Sequence, residues 1–335
     1  MKIFSIALLG WMASSAGAQV TTYTPTEITQ IVTTSFQNDD FATLDKMAIQ
    51  FRTTKSRSSS GSWNLAIFYS NFRNAMYEGG KQNSDEQWQR IEEKISRWVA
   101  TTPNSATAPI FLAWAQLRHG WSYRNNGVDN TVTEEGFNKF LHYVSMSENI
   151  LKKHKRVSSV DPEWYVMMLS LAKHRKMNDR EYGLLYEEAL KVEPGYHDTY
   201  KAVAETVSPM WSGNIAQLSA LASDAVRRTS AVEGNALYAR IFWSVSDRYS
   251  GVWYHILSTG GWPLMKSGFE DMIKQYPDDW NKNAYARFAC KAGDVDLFLK
   301  LTRQFSGNPD VEAWPGNSFQ QCRDYAARMR PTTPI

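Results

Sequence analysis

Apolar residues recur every three or four positions along most of this chain, which is the spacing of amphipathic α-helices. Trp88, Ile91, Ile95 and Trp98 form one such stripe. A second stripe consists of Phe137, Phe140, Leu141, Val144 and Leu151. Apolar and polar residues never alternate for long enough to indicate a β-sheet. The pattern therefore predicts an all-α protein of roughly a dozen helices.

Helix-capping residues stand where these helices are expected to begin. Ser84 and Gln87 have the spacing of a capping box, in which each side chain bonds the backbone N–H of the other. Asp161 precedes Pro162, and an acidic N-cap before proline is typical of a helix start. Thr133 precedes the second stripe as a further candidate cap. Helices are therefore predicted to begin directly after residues 84, 133 and 161.

Two kinds of break separate the predicted helices. Short turns rich in Asn, Asp and Gly lie at 38–40, 178–179 and 292–294. Helix-ending prolines are Pro103, Pro194 and Pro277. Short turns place consecutive helices antiparallel, and one such hairpin cannot bury its apolar stripe alone. We therefore expect irregular tetratricopeptide-like helical hairpins that stack as an α-solenoid or superhelix.

Three segments are predicted to be loops: 56–62, 123–131 and 306–317. None is long enough to be a linker between separate domains. We expect residues 19–80 to form an N-terminal helical cap and residues 81–335 to form the hairpin-repeat region. The two parts are expected to make one continuous domain.

The N-terminus has the pattern of a secretory signal peptide. Lys2 is followed by an uncharged apolar run, residues 3–13, and then by Ala16, Gly17 and Ala18 as a small-residue cleavage site. The apolar run is too short to span a membrane. We therefore expect cleavage after Ala18 and a periplasmic or secreted protein.

The chain has two cysteines, Cys290 and Cys322. In an oxidising compartment such a pair predicts a disulfide. Closing this loop stabilises the fold by roughly 3–4 kcal/mol in the chain-entropy model. The bridge would fix the C-terminal segment to the preceding hairpin.

The charge pattern does not indicate a nucleic-acid partner. The formal net charge is +3, and acidic and basic residues are interspersed. The one basic run consists of Lys152, Lys153, Lys155 and Arg156. A helix C-terminus favours such cations, whereas nucleic-acid binding calls for a broader basic stripe.

No catalytic or metal-binding signature is present. The sequence lacks a zinc-protease His-Glu-x-x-His motif, a nucleophile elbow and a P-loop. His119 and His174 are interpreted as cations at helix C-termini. Adjacent acids such as Glu134 and Glu135 point in different directions on a helix, and they suit its first turn. We therefore expect no catalytic residue, metal or cofactor, and a non-enzymatic protein.

Aromatic residues are abundant, with 13 Trp, 16 Tyr and 15 Phe. Two clusters combine aromatic residues with arginine. The first consists of Trp114, Arg118, Trp121 and Arg124, beside Tyr123. The second consists of Tyr238, Arg240, Trp243 and Trp253. This composition is typical of binding hot spots and equally of core edges where arginine stacks on a ring. Both interpretations stay open.

Several segments carry a resemblance to a known family. They are 40–45, 61–65 with Phe68 and Tyr69, 161–165, 238–240 with Trp243, and 276–278 through Asn283 to Cys290. Together they resemble a bacterial family that carries a domain of unknown function and is related to tetratricopeptide-like helical proteins. The resemblance spans most of the chain after residue 18. It implies a helical-repeat fold and no catalytic residues.

Two functional hypotheses follow. The first is an exported helical-repeat protein that binds a peptide, a protein or another cell-envelope partner through its extended surface. The second is an all-helical carbohydrate-active enzyme or glycan-binding protein, because tryptophan rings can stack on sugars. A tryptophan-lined cleft that holds two carboxylates would favour the second hypothesis.

Overall fold

The computed structural model describes residues 22–77, 83–124, 132–175, 177–209, 211, 213–246, 249–258 and 260–330. The predicted signal peptide and most of the predicted loop at 123–131 lie outside these residues. The described part contains seventeen α-helices and no strand longer than a single bridge between Arg57 and Trp63. The all-α prediction is therefore confirmed.

The helices are α1 Pro25–Gln37, α2 Phe41–Thr54, α3 Asn64–Ala75, α4 Asp85–Thr101, α5 Thr107–Arg124, α6 Glu134–Lys153, α7 Lys155–Ser158, α8 Pro162–Ala172, α9 Asp179–Val192, α10 His197–Val207, α11 Ile215–Glu233, α12 Ala236–Ser246, α13 Ser250–Ser258, α14 Trp262–Gln275, α15 Asp279–Lys291, α16 Val295–Thr302 and α17 Ser318–Met329. They outnumber the roughly twelve expected from the pattern. Helices such as α5 and α12 are buried around most of their circumference. Their sequences therefore lack the alternation of apolar and polar faces by which a helix is recognised.

The predicted caps are confirmed. Ser84 and Gln87 form a reciprocal capping box at α4, and Thr133 caps α6 through the backbone N–H of Gly136. Asp161 caps α8, with Pro162 at its first position. These hydrogen bonds satisfy backbone donors that a helix N-terminus leaves free. The starts of these helices are therefore set by local sequence.

The stripe on α4 is confirmed, because all four of its residues are buried. The stripe on α6 is only partly correct. Phe140, Val144 and Leu151 are buried, whereas Phe137 is 44% exposed. A Cβ on Gly136 would lie 2.7 Å from the Tyr123 carbonyl oxygen, so the first turn of α6 lies against the last turn of α5. Phe137 therefore sits at the edge of this helix pair and outside the core.

The helices stack as two rows, as expected for helical hairpins in series. In one row α5 contacts α8, α8 contacts α10, and α10 contacts α12. In the other row α6 packs on α5 and α8, α9 on α8 and α10, and α11 on α10 and α12. Each helix therefore buries its apolar face against its near neighbours in the chain, which is the packing of a solenoid. We call α3, α5, α8, α10 and α12 the inner row.

One segment departs from this neighbour-to-neighbour packing. The loop between α2 and α3, here called the bridging loop (residues 55–63), reaches residues far along the chain. Its Trp63 Nε1 donates to the Gly195 carbonyl at 2.8 Å, and its Ser60 carbonyl accepts from Arg240 at 2.8 Å. Gly61 has φ +78°, and a Cβ there would lie 2.4 Å from the Tyr276 ring. Only glycine fits this turn without strain.

The C-terminal segment is fixed covalently. Cys290 on α15 and Cys322 on α17 form a disulfide, with their Cα atoms 5.9 Å apart. This pairing confirms the prediction. The predicted loop at 306–317 is also confirmed, because it joins α16 to α17. Within the residues that the structure describes, no helix combines the length and apolarity needed to cross a membrane.

Candidate functional site

A cavity of about 1020 Å³ runs along the inner row. Successive inner helices each contribute side chains to it: Arg73 from α3, Trp114 from α5, Val166 from α8, Lys201 from α10 and Ser244 from α12. A feature built from consecutive hairpins in this way is typical of the binding surfaces of helical-repeat proteins.

The first predicted cluster meets at this cavity. Trp114, Arg118 and Trp121 all line it, because positions i, i+4 and i+7 share one face of α5. The Arg118 guanidinium lies 5.7 Å from the centre of the Trp114 ring. Arg124 is not among the lining residues, but its guanidinium lies 4.9 Å from the Trp121 ring. The structure thus groups these four residues on one side of the cavity.

The second predicted cluster does not line the cavity. Tyr238 and Trp253 are buried, and Arg240 is buried against the bridging loop. Burial lowers the pKa of Arg240 to about 10, although it keeps its charge at neutral pH. Trp243 packs against Phe269 and Trp280 on the neighbouring helices. In this cluster the arginine and the aromatic rings pack among other side chains.

Among the residues that the structure describes, three carboxylates line the cavity, and each is paired with a cation that also lines it. Glu163 accepts from Arg73 at 3.0 Å, and Asp198 pairs with Lys201 at 2.7 Å. Glu205 pairs with Lys173 at 3.2 Å. Arg118 is the fourth cation of the lining.

Glu163 is the most perturbed of these acids. Its side chain is 1% exposed, and besides Arg73 it accepts from the Tyr196 hydroxyl at 3.0 Å. Burial raises its pKa to about 7, although the Arg73 cation opposes that shift. Burial also disfavours charge on Asp198, but Lys201 outweighs it and holds the pKa of Asp198 below its usual value. The charge of the cavity therefore changes near neutral pH through Glu163.

His174 lines the cavity as a neutral side chain. Burial lowers its pKa to about 3, with Lys173 acting in the same direction. Its ring meets those of Trp121 and Trp211 edge-on at 5.5 and 5.7 Å. His174 does follow the C-terminus of α8, as expected, but it is not a cation, because the imidazole is enclosed by rings and lies beside cations.

His119 also differs from its expected position. Helix α5 continues to Arg124, so His119 lies within the helix and not at its C-terminus. It is buried, and its Nδ1 lies 2.7 Å from Glu92 Oε1. The ring stacks with that of Trp88 at 6.0 Å. His119 therefore joins α5 to α4.

A second buried polar network surrounds the bridging loop. Arg57 donates to Glu233 at 2.8 Å, and His197 Nε2 lies 2.8 Å from the same carboxylate. Burial lowers the pKa of His197 to about 3. Burial alone would raise the pKa of Glu233, but the His197 hydrogen bond and the Arg57 cation lower it to about 2. Unlike Glu163, this network keeps a fixed charge across the physiological range.

The sequence reasoning did not single out the paired charges of the cavity. These residues are Arg73, Glu163, Lys173, Asp198, Lys201 and Glu205. Glu163 and Asp198 both lie in the first turn of an inner helix, where acids are common for local reasons. One sequence signal could have found these two acids: each is the second residue of its helix, so they occupy equivalent positions on consecutive hairpins. No group of three His, Cys, Asp or Glu side chains converges as a metal site within the described ranges.

A comparison with models of known protein families gave no match, and a search of curated proteins likewise gave none. One similar solved structure is titled "Circular tandem repeat protein with novel repeat topology and enhanced subunit contact surfaces". It is 11% identical, the alignment covers 91% of this chain and 78% of that chain, and the TM-score is 0.25.

Proposed function

We propose that this is an exported, non-enzymatic helical-repeat protein that binds a peptide segment of a cell-envelope partner in the inner-row cavity. The observation that carries the proposal is the cavity itself, about 1020 Å³ in volume and lined by five successive inner helices. This volume lies at the upper end of the range for small-molecule sites, about 300–1,000 Å³, and suits a short extended chain.

The composition of the cavity supports a peptide ligand. Trp114 and Trp121 supply large apolar contact areas, and Arg118 supplies hydrogen-bond donors beside them. Tryptophan and arginine are the residues that most often dominate binding energy at protein interfaces. The hydroxyls of Ser70 on α3 and Ser170 on α8 offer further polar contacts for a peptide backbone.

Two features support export. The Cys290–Cys322 disulfide is typical of proteins in oxidising compartments. The sequence pattern of residues 1–18 is that of a cleavable signal peptide, with cleavage after Ala18. We also propose that this chain belongs to the bacterial family with a domain of unknown function that its sequence segments resemble.

The test is capture of partners by the chain from residue 19 onward, followed by mass spectrometry of cross-linked peptides. Arg118→Ala should abolish capture by removing the cationic donors of the cavity. Arg303→Ala, at an exposed position just after α16, serves as the matched control. Circular dichroism of both variants should match the wild type. Equal capture by Arg118→Ala and wild type would place the binding surface elsewhere.

A glycan-directed function is the second candidate, and one observation favours it. Trp114 and Trp121 share the cavity with Glu163, Asp198 and Glu205. A glycosidase needs two carboxyl groups on either side of the scissile bond. Here each acid is held by a lysine or arginine within about 3.2 Å, which opposes such a role. Release of reducing sugar from envelope polysaccharide by wild type but not by Glu163→Gln would support this candidate over the first.

A further inference from the structure

Among the described residues that line the cavity, cations outnumber anions by one. Among its lining residues, Glu163, Asp198 and Glu205 are matched by Arg73, Lys201 and Lys173. Arg118 has no ion pair with any residue that the structure describes. A guanidinium is always charged and offers five N–H donors, so an unmatched one in a cavity favours an anionic ligand.

The donors of Arg118 that a ligand can reach are those at the end of its side chain. Arg118 Nε is withdrawn from solvent and has no acceptor within the described part of the chain, so it does not face the cavity. The residue as a whole is half-buried and lines the cavity, which leaves the Nη groups of the guanidinium accessible. The neighbouring Arg73 is already held by Glu163 at 3.0 Å.

The size of the imbalance selects the kind of anion. One unmatched cation suits a monoanion, and the planar guanidinium fork matches a carboxylate in bidentate geometry. A phosphate dianion would leave a negative charge unmatched near Glu163, whose pKa is raised to about 7 by burial, with smaller contributions from Asp198 and Asp161. A carboxylate is therefore the better fit.

The tryptophan rings favour a peptide over a sugar acid. Arg73 and Arg118 lie over the Trp114 ring at 4.6 and 5.7 Å, and Arg124 lies 4.9 Å from the Trp121 ring. Sugar stacking needs an open aromatic face, and these faces are already used by cations. Peptide side chains can instead pack along the ring edges while a carboxylate meets Arg118.

We propose that Arg118 binds one carboxylate of a peptide segment, so that the protein recognises peptides that present an Asp, a Glu or a C-terminus to Arg118. This specificity rests on the proposed peptide-binding function of the cavity. Arg118 is the specificity-determining residue, and Trp114 orients its guanidinium by stacking. The carboxylate comes from an Asp or Glu side chain or from a free C-terminus.

The test is selection of a displayed library of random twelve-residue peptides on the immobilised chain from residue 19 onward. Wild type should enrich Asp and Glu at least threefold over the starting library. Arg118→Gln should lose this enrichment, whereas Arg303→Gln should keep it. Arg118→Lys should keep part of it, because it retains the charge but not the bidentate fork. This last variant also guards against misfolding of Arg118→Gln.

The best selected peptide is then measured by fluorescence anisotropy. Replacing its Asp and Glu by Asn and Gln should weaken binding at least tenfold to wild type and less than twofold to Arg118→Gln. Amidating its C-terminus distinguishes a terminal carboxylate from a side chain. Inorganic phosphate and an oligomer of galacturonic acid are the competing anions, and neither should displace the peptide at millimolar concentration.

The outcomes separate the two proposals. Peptides selected without acidic enrichment would overturn the role of Arg118 and leave the peptide-binding function standing. No selected peptide at all would overturn both. Displacement by the galacturonate oligomer would assign the site to acidic glycans and overturn the peptide ligand.

Discussion

The first predicted cluster, on α5, and the second, on α12 and α13, have nearly the same composition, but their surroundings in the structure differ. On α5, Arg118 lines an open cavity beside Trp114 with no acidic partner in the described residues. On α12, Arg240 is buried and donates to the Ser60 carbonyl of the bridging loop at 2.8 Å. The difference lies in what a distant part of the chain places against each helix. Arginine beside tryptophan is thus a binding feature only where no other segment covers it.

The largest effect is expected in the bridging-loop network. Glu233→Ala should lower the free energy of unfolding by about 3–5 kcal/mol, because Arg57 would be left as a buried cation without its anion. Urea denaturation followed by circular dichroism measures this change. Glu135→Ala, whose side chain is 79% exposed, is the control and should change stability by less than about 1 kcal/mol. A small effect of Glu233→Ala would show that the loop does not depend on this network.

The contributions of the cavity and of the bridging-loop network to stability should also differ in their response to pH. The folded-state pKa of Glu163 is raised from 4.5 to about 7 by burial, so its contribution is fully present below pH 4.5 and lost as pH rises through 7. Wild type should therefore lose about 3 kcal/mol relative to Glu163→Gln between these pH values. Arg73, Asp161, Tyr196 and Asp198 face this carboxyl and are unchanged in the comparison.

Denaturation midpoints of wild type and Glu163→Gln, measured in parallel at pH 4.5, 6 and 7.5, follow this difference. His197 adds a slope of opposite sign below pH 6.5, because its folded-state pKa is lowered from 6.5 to about 3 by burial and only the unfolded chain takes up its proton in this range. This slope is common to both proteins, so it cancels in their difference. Parallel curves for the two proteins would contradict the raised pKa of Glu163.

A smaller effect separates the two arginines themselves. Arg240→Ala should destabilise the fold by about 2 kcal/mol, because it removes a charge-assisted hydrogen bond to the Ser60 carbonyl, which keeps only its bond from Asn281 Nδ2 at 3.1 Å. Arg118→Ala should change the free energy of unfolding by about 0.5 kcal/mol or less, because Arg118 makes no ion pair with any described residue. Chemical denaturation of both variants checks this. Similar losses would mean that both arginines are structural.

Local signals in the sequence predicted much of the fold. The caps at Ser84, Thr133 and Asp161 depend on residues within three positions, so they can be recognised without tertiary information. The Cys290–Cys322 pair needed only the compartment and an even number of cysteines. Trp114, Arg118 and Trp121 were grouped from the sequence by composition, and the structure adds that their helical spacing puts them on one face of α5.

Long-range contacts were not predictable from the same signals. The bridging loop was interpreted as a simple Ser-rich loop, yet Trp63 bonds Gly195 and Ser60 bonds Arg240 across the stack. Glu163 was not singled out from the sequence, although its position on an inner helix brings it to Arg73, far away in sequence. Such pairs depend on how hairpins stack, which no local pattern encodes.

The most direct test of the cavity as the binding surface is photo-cross-linking with a selected acidic peptide that carries a benzophenone side chain. Cross-links should map to the inner-row helices around the cavity, above all to Thr107–Arg124, with others on Pro162–Ala172 and His197–Val207. They should be absent from Ser250–Ser258, which carries Trp253 of the second cluster. Cross-links confined to that helix, or to α6, α9 and α11, would contradict the account.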